Sequence, residues 1–126
     1  YSYEEIRQKN YGKGGVVSYL HTNDAREILR RIENGDTYAK LIFDAMIYQL
    51  AKEIGACATV LKGHVDYIVL TGGLAYSEYV VKEVKERVIF IAPLLVYPGE
   101  NEMLSLAQGV LRVLKKEEVA KEFIAD

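Results

Sequence analysis

The fold is decided by residues 65–77, VDYIVLTGGLAYS, where a short apolar run ends in two glycines. The run consists of β-branched, aromatic and aliphatic residues: Val65, Tyr67, Ile68, Val69 and Leu70. Such a run, bounded by Gly63 and by the pair Gly72 and Gly73, is typical of a strand buried on both faces. We therefore expect a parallel strand here, with the paired glycines at its carboxyl end.

The residues downstream of this strand complete a βαβ unit. Ser77 can cap a helix whose inward face carries Val80, Val81, Val84 and Val88. A second strand is expected over residues 94–97, and strand, helix and strand in this order imply a parallel pair with a right-handed crossover. Pro98 and Gly99 then turn the chain into a last helix over about residues 101–116. Its expected core stripe is Met103, Leu106, Ala107, Val110 and Leu114. Residues 117–126 are predicted to be a helical tail that is either frayed and flexible or docked.

The residues upstream predict two further helices. Residues 1–13 are polar and aromatic and are interpreted as an adapter with a short helix ending before Gly12, and Val16–Leu20 as an extended segment. Thr22, Asn23 and Asp24 can cap a short amphipathic helix that stops at Asn34 and Gly35. A longer helix begins at Asp36 and is expected to be central and buried on most of its circumference. Its apolar surface is predicted to contain Leu41, Ile42, Ala45, Met46, Leu50, Ile54, Cys57 and Leu61.

Composition favours one globular domain and excludes several classes of protein. The chain has 126 residues, half of them hydrophobic, which suits a single core. A net charge of −2 gives no basic surface for nucleic acid. No window approaches the roughly 18 consecutive apolar residues of a membrane span. With one cysteine, Cys57, no internal disulfide can form, so a cytoplasmic protein is expected. The chain begins at Tyr1 rather than at methionine, which suggests a fragment or a cleaved product.

The paired glycines are the most informative place for chemistry. Ligands of open α/β sheets bind at the carboxyl ends of strands. Glycine lets a base, ribose or phosphate approach the backbone, and the following helix start offers free N–H groups. From the glycines alone, a tight strand-to-helix turn without a ligand is an equally good interpretation. No P-loop occurs, and the glycine cluster at residues 12–15 follows no strand, so neither a P-loop nor a Rossmann fingerprint is supported.

Three motifs together resemble a known family. The stretch TGGLAYS at residues 71–77, with TNDAR at 22–26 and PGENE at 98–102, resembles the C-terminal domain of the butyrate kinases, within the acetate and butyrate kinase family. The resemblance extends from Gly12 to about Lys116. It implies an α/β fold: one ribonuclease H-like lobe, similar to actin-like ATPases, with a parallel βαβ core and a long central helix. Such lobes hold the nucleotide in the cleft between two of them.

The resemblance also implies roles for individual residues. Asp24, Ala25 and Arg26 match the family's nucleotide contacts, with the Arg26 guanidinium stacking on adenine and Asp24 accepting hydrogen bonds. An adenosine loop is implied at Gly72, Gly73, Leu74, Ala75, Tyr76 and Ser77. Glu102 matches the acidic residue near Mg²⁺. The implied reaction is transfer between ATP and a short-chain carboxylate, which gives an acyl phosphate and ADP.

Other features of the sequence qualify this resemblance. Asp24 and Arg26 can also be a helix cap and a solvated residue, and Glu102 can simply favour a helix start. His21 stands where the family usually has glycine, whereas His64 is expected at the surface. The resemblance further implies phosphate-binding loops, an acyl-site arginine and a catalytic histidine and aspartate in a preceding domain, and no motif of this sequence matches them. The implied partners are therefore a missing N-terminal lobe and, through exposed apolar surface, a second copy in a homo-oligomer. A non-catalytic domain used for assembly, and a kinase for acetate, propionate or branched acids, remain alternatives.

Overall fold

The computed structural model describes residues 1–99 and 102–122 and contains six α-helices and two β-strands in this part of the chain. In chain order the elements are α1 (Tyr3–Gln8), α2 (Val16–Leu20), α3 (Ala25–Glu33), α4 (Thr37–Val60), β1 (Ile68–Gly72), α5 (Glu78–Val88), β2 (Leu94–Pro98) and α6 (Glu102–Leu114). A π-type turn over Lys9–Lys13 follows α1, and a 3₁₀ turn over Gly73–Tyr76 links β1 to α5. The predicted short helix before Gly12 is present as α1, and the π-type turn that follows α1 continues past Gly12 to Lys13.

The predicted helix starts are confirmed by their capping bonds. The backbone N–H of Arg26 donates to the Asp24 carboxylate at 2.9 Å, and that of Ala39 donates to Asp36 at 2.8 Å. At the start of α5 the N–H of Val80 donates to the Ser77 hydroxyl at 3.3 Å. Each of these caps satisfies an N–H group that the first helical turn leaves unpaired. The sequence therefore determined where α3, α4 and α5 begin.

The predicted extended segment at Val16–Leu20 is wrong, because these residues form helix α2. An extended segment needs a neighbouring strand for its backbone hydrogen bonds, and the sheet of the described residues consists of β1 and β2 only. As a helix, the segment makes these bonds internally and turns Leu20 and Val16 onto the core. Arg31 secures its end by donating from Nη1 to the Leu20 carbonyl at 3.3 Å.

The two strands pair in parallel, as the βαβ pattern predicts. Ile68 lies opposite Leu94, and the register continues to Gly72 opposite Pro98. The prediction that β1 is buried on both faces is wrong for this chain. Ile68 and Leu70 are half-buried on one side, whereas Val69 and Thr71 are exposed on the other. β1 is therefore covered on one face.

The core lies where α4 meets its neighbours α2, α3 and α5. Its buried residues are Leu20, Ile28, Ala39, Phe43, Ile47, Val80, Val84 and Val88. The predicted inward face of α5 is confirmed, with Val81 half-buried beside the three buried valines. Helix α4 is central as expected, because it packs on all three neighbours.

The prediction that α4 is buried on most of its circumference is wrong. Leu41 is 63% exposed, and Leu61 is also exposed. Cys57, which was expected in the core, is exposed too. The core needs only the side of α4 that carries Ala39, Phe43 and Ile47, because α2, α3 and α5 do not surround the helix.

The expected core stripe of α6 is also wrong in this structure. Within Glu102–Leu114 no side chain is buried. Met103, Leu106, Ala107, Val110 and Leu114 are all exposed. The helix itself is confirmed from Glu102, while residue 101 of the predicted start lies outside the described residues. The predicted helical tail is wrong for residues 117–122, which contain no helix, and residues 123–126 lie outside the described residues. Among the described residues, no helix has both the length and the apolar character that crossing a membrane requires.

Candidate functional site

The glycine loop, residues 72–77, leads from the last residue of β1 into α5 and has the paired glycines at the carboxyl end of the strand, as predicted. Gly72 ends β1 with φ 82° and ψ −172°, a conformation that only glycine adopts readily. The 3₁₀ turn Gly73–Tyr76 follows, with Ala75 buried and Tyr76 exposed. Ser77 then caps α5. Gly72 is thus explained by the backbone alone, in agreement with the interpretation as a tight turn.

Gly73 differs from Gly72 in this respect. It is exposed, its φ does not lie in the left-handed region, and a Cβ added to it would meet no atom within 4 Å. Neither the backbone conformation nor packing within the described residues therefore requires glycine at this position. What glycine does provide is an uncovered stretch of backbone at the end of β1, which a flat ligand can approach closely.

The TGGLAYS motif and the start of the PGENE motif, at Pro98 and Gly99, meet at this sheet edge. The Gly72 N–H donates to the Gly99 carbonyl at 3.3 Å, and the Gly99 N–H donates to the Gly72 carbonyl at 3.2 Å. The Thr71 hydroxyl also donates to the Gly99 carbonyl, at 3.4 Å. Gly99 has φ 102°, and a Cβ on it would lie 2.7 Å from the Tyr76 hydroxyl oxygen. The loop after β1 and the turn after β2 therefore form one continuous rim.

At the start of α3 the TNDAR motif forms a polar clamp, which consists of Asp24 and Arg26. Arg26 donates from Nε to Asp24 Oδ1 at 3.0 Å and from Nη2 to Oδ2 at 2.8 Å. Hydrogen bonds from the Arg26 side chain and backbone lower the pKa of Asp24 to about 2. The Arg26 side chain is 87% exposed, so the clamp orients the guanidinium without covering its flat faces.

Thr22 and Glu27 support this clamp. The Thr22 hydroxyl donates to Glu27 at 2.7 Å and accepts from the Asp24 N–H at 3.2 Å. The Asp24 carboxylate already accepts three hydrogen bonds from Arg26, two of them on Oδ1. Asp24 therefore has a free acceptor position mainly on Oδ2.

The clamp and the glycine loop belong to helices that pack on the same central helix, since Asp24 caps α3, Ser77 caps α5 and both helices contact α4. Among the described residues no hydrogen bond or ion pair joins Asp24 or Arg26 to residues 72–77. That these two motifs converge on one ligand stays a prediction.

Glu102 begins α6 and is exposed. Within residues 1–99 and 102–122, no three His, Cys, Asp or Glu side chains are grouped so that they could hold a metal ion. A single carboxylate suits Mg²⁺ only when phosphate oxygens and water complete the coordination. Glu102 fits that limited role, and the rest of the PGENE motif, residues 100 and 101, lies outside the described residues.

Two grooves differ in their relation to these motifs. One, of about 450 Å³, lies beside the glycine loop and is lined by Ala75, Tyr76, Glu78, Val81, Lys82, Lys85 and Val96. The other, of about 440 Å³, lies between α2 and α4 and is lined by Gly15, Val16, Tyr19, Ile42, Ala45, Met46 and Gln49. The second has no charged side chain in its lining, so only the first combines apolar walls with charged groups.

A cluster that the sequence analysis missed joins α4 to α5. The Tyr79 hydroxyl donates to Asp44 and accepts from Lys40 Nζ at 2.9 Å, while Lys40 also pairs with Asp44. Partial burial pushes the pKa of Asp44 upward, but the hydrogen bonds from Lys40 and Tyr79 outweigh it and leave this pKa below its ordinary value. The spacing of Lys40 and Asp44 predicts their pair. Nothing in the sequence points to Tyr79, which is 35 residues from Asp44.

The two histidines have different environments. His21 ends α2 with φ 58° and ψ 20°, a left-handed conformation that favours glycine after a helix. The expectation of glycine at this position thus has a backbone reason. His64 is exposed, as predicted.

Comparison with known proteins bears on these motifs. The model of the acetokinase family matches residues 1–115. The chain belongs to the acetokinase family. Butyrate kinase 1 of Clostridium acetobutylicum is 54% identical over 123 residues, which are 98% of this chain and 35% of that protein. The probable butyrate kinase 2 of Caldanaerobacter subterraneus subsp. tengcongensis is 54% identical over 121 residues, or 96% of this chain and 34% of that protein. This acetokinase family chain thus spans about a third of the length of these relatives.

Proposed function

We propose that this chain is the nucleotide-binding part of a butyrate kinase type enzyme. The enzyme would transfer a phosphoryl group reversibly between ATP and a short-chain carboxylate. In the forward direction a carboxylate oxygen forms the new bond to the γ-phosphorus while the bond to the β-phosphate oxygen breaks, giving an acyl phosphate and ADP. Family membership and the two butyrate kinase relatives support a carboxylate kinase.

The observation that carries the proposal is the uncovered backbone at Gly73. Gly72 has a conformational reason to be glycine, but Gly73 has none among the described residues. A ligand that lies against the backbone supplies the missing reason, because any side chain at this position would occupy its place. Leu74, Ala75, Tyr76 and Ser77 would continue the wall along the base and ribose.

The clamp at α3 would supply the opposite side of the site. Arg26 is held in one orientation by Asp24 and leaves its guanidinium face open, which is the arrangement that stacking on adenine requires. The remaining acceptor position on Asp24 Oδ2 would take a hydrogen bond from the nucleoside, with Ala25 beside it. Glu102 would contribute one oxygen near Mg²⁺, whose role when bound is to neutralise phosphate charge.

The proposal also covers the fold family, the partners and the location of the protein. The parallel βαβ unit on a long central helix would be part of a ribonuclease H-like lobe, completed by an N-terminal lobe that carries the phosphate loops and the acyl site. The exposed apolar residues of α6 support self-association into a homo-oligomer. A cytoplasmic location belongs to the same proposal.

ATP titration of the chain by calorimetry tests the site. Arg26→Ala should weaken binding by about fivefold, the range of one cation–π contact. Gly73→Val should weaken it at least about tenfold, since a side chain would stand where the ligand lies. Gly55→Ala is the matched control, because Gly55 lies within α4 and a Cβ there also meets no atom within 4 Å. Unchanged affinity in Gly73→Val would contradict the proposed adenosine loop.

The alternative function is a non-catalytic domain of the same fold that serves assembly. Mixing the chain with the N-terminal lobe of a butyrate kinase separates the two functions. Acyl phosphate formation in the mixture supports the enzyme, whereas an inert mixture that still forms a complex supports assembly. A panel of acetate, propionate, butyrate and branched acids in the active mixture would then identify the preferred acceptor.

A further inference from the structure

The cluster of Lys40, Asp44 and Tyr79 lies at the end of α5 that carries the glycine loop. Tyr79 is the second residue of α5 and follows Ser77 by two positions. Its hydroxyl reaches across to Asp44 and Lys40, which are neighbours on α4. Its ring stacks on the buried Phe43, with centroids 6.3 Å apart and an angle of 28° between the planes. The first turn of α5 is thereby joined to α4 through both a ring and a hydroxyl.

The rest of α5 is held without this cluster. Val80, Val84 and Val88 are fully buried along its inward face. Glu83 and Arg87 form another pair on α5, in which Arg87 Nη1 donates to the Glu83 carboxylate at 2.6 Å. The charge of Arg87 also helps to lower the pKa of Asp44, but no hydrogen bond joins these two residues among the described ones. A phenylalanine at position 79 could stack on Phe43 as the tyrosine does. The Tyr79 hydroxyl is therefore not needed to attach the helix.

The hydroxyl does fix the direction of the first turn. Apolar packing is not directional, so the valines permit small rotations of the helix end. A hydrogen bond to a carboxylate that is itself held by Lys40 restricts that rotation. The 3₁₀ turn Gly73–Tyr76 connects directly to Ser77, so any rotation at Tyr79 moves the uncovered backbone of Gly73.

We propose that Tyr79, anchored by Asp44 and Lys40, is a positioning residue that sets the orientation of the Gly72–Ser77 loop for the nucleotide. This inference rests on the proposed function for its ligand. The fixation of the loop itself is independent of any ligand. The positioning role of Tyr79 can therefore be tested separately from the proposed nucleotide binding.

Hydrogen exchange of the free chain, followed by ATP titration, tests the inference with Tyr79→Phe. The amides of Ser77 and Val80, which donate to the Leu74 carbonyl at 3.1 Å and to the Ser77 hydroxyl at 3.3 Å, should exchange at least about tenfold faster than in the wild type, as expected when one hydrogen bond to a charged group is lost. The amides of Val84 and Val88 should be unchanged. If the wild type binds ATP, its affinity should fall by a similar factor in the variant.

Glu83→Gln is the structural control, because it loosens a pair on the same helix beyond the first turn. It should leave the loop amides as they are in the wild type. Asp44→Asn, which keeps an acceptor for the Tyr79 hydroxyl, should retain most of the loop protection. Equal loop exchange in wild type and Tyr79→Phe, or equal acceleration by Glu83→Gln, would overturn the positioning role. A wild type that does not bind ATP would instead contradict the proposed function, while the exchange data still decide the role of Tyr79.

Discussion

Helices α5 and α6 have similar sequence patterns, but the structure buries the apolar face of α5 and leaves that of α6 exposed. Both follow a strand and a turn with glycine, and both carry apolar residues at helical spacing. Val80, Val84 and Val88 of α5 are fully buried, whereas Met103, Val110 and Leu114 of α6 are 79%, 59% and 72% exposed. Periodicity therefore predicts that a helix has an apolar face, but not that the described chain contains anything to cover it.

The largest expected effect on stability comes from making the same substitution, valine to alanine, in both helices. Val84→Ala removes two buried carbons and leaves a small cavity, so the free energy of unfolding should fall by about 2 kcal/mol. Val110→Ala should change it by less than about 0.5 kcal/mol, because that side chain is already exposed. Urea denaturation followed by circular dichroism measures both. Equal losses would mean that α6 packs on the core in solution.

A second pair of substitutions compares a residue with left-handed backbone at the packed core with one that follows α6. His21 ends α2 at φ 58°, beside the buried Leu20, and Lys116 follows α6 at φ 62°. His21→Gly should raise the free energy of unfolding by about 1 kcal/mol, because glycine adopts this conformation without a Cβ penalty. Lys116→Gly should leave the global unfolding midpoint unchanged, since α6 contributes no buried residue to the core. Stabilisation by Lys116→Gly would indicate that α6 unfolds together with the core.

The smallest effect concerns the charge clamp at α3, which lies at the surface of the packed region. The pKa of Asp24 is lowered from 3.8 to about 2, chiefly by its hydrogen bonds with Arg26. Because the folded pKa lies below the ordinary value, the clamp is complete above about pH 4 and is lost as the pH falls through about 2. Arg26→Ala should raise the pKa of Asp24 toward its ordinary value, measured by NMR titration of the carboxyl carbon. Arg30→Ala, the control, should leave the pKa unchanged; an unchanged pKa in Arg26→Ala would mean that the clamp does not persist in solution.

Local signals predicted much of this fold. The caps Asp24, Asp36 and Ser77 determine the helix starts through bonds made within a few residues, and these starts are confirmed. The parallel pairing of β1 and β2 followed from the order of the elements and is confirmed as well. The caps act within a few residues, and the two paired strands are consecutive strands joined through one helix.

Predictions that needed a distant partner failed more often. Val16–Leu20 has β-branched residues, yet it is a helix because no strand lies beside it in the described chain. Cys57 belongs to the predicted apolar surface of α4, yet it is exposed among the described residues. The Tyr79 cluster was invisible because its members are brought together only by the packing of α4 on α5.

The candidate site shows the same division. The resemblance implied ligand contacts at the glycine loop, at Asp24 and Arg26 and at Glu102, and these roles stay predictions. The structure adds the bonds between Arg26 and Asp24 and the rim that joins Gly72 to Gly99. Whether the clamp and the loop share one ligand remains a prediction, because it concerns two motifs about fifty residues apart.

The sequence by itself determined the described helices other than α2, the parallel strand order, the capped starts and the motifs of the acetokinase family. These follow from backbone conformation and short-range hydrogen bonds, which neighbouring residues control. Only the tertiary structure decided which apolar faces are buried, that Gly73 stands free of packing, and that Tyr79 reaches Asp44. Burial and contact depend on which surfaces meet in space, and a pattern along one chain does not contain that information.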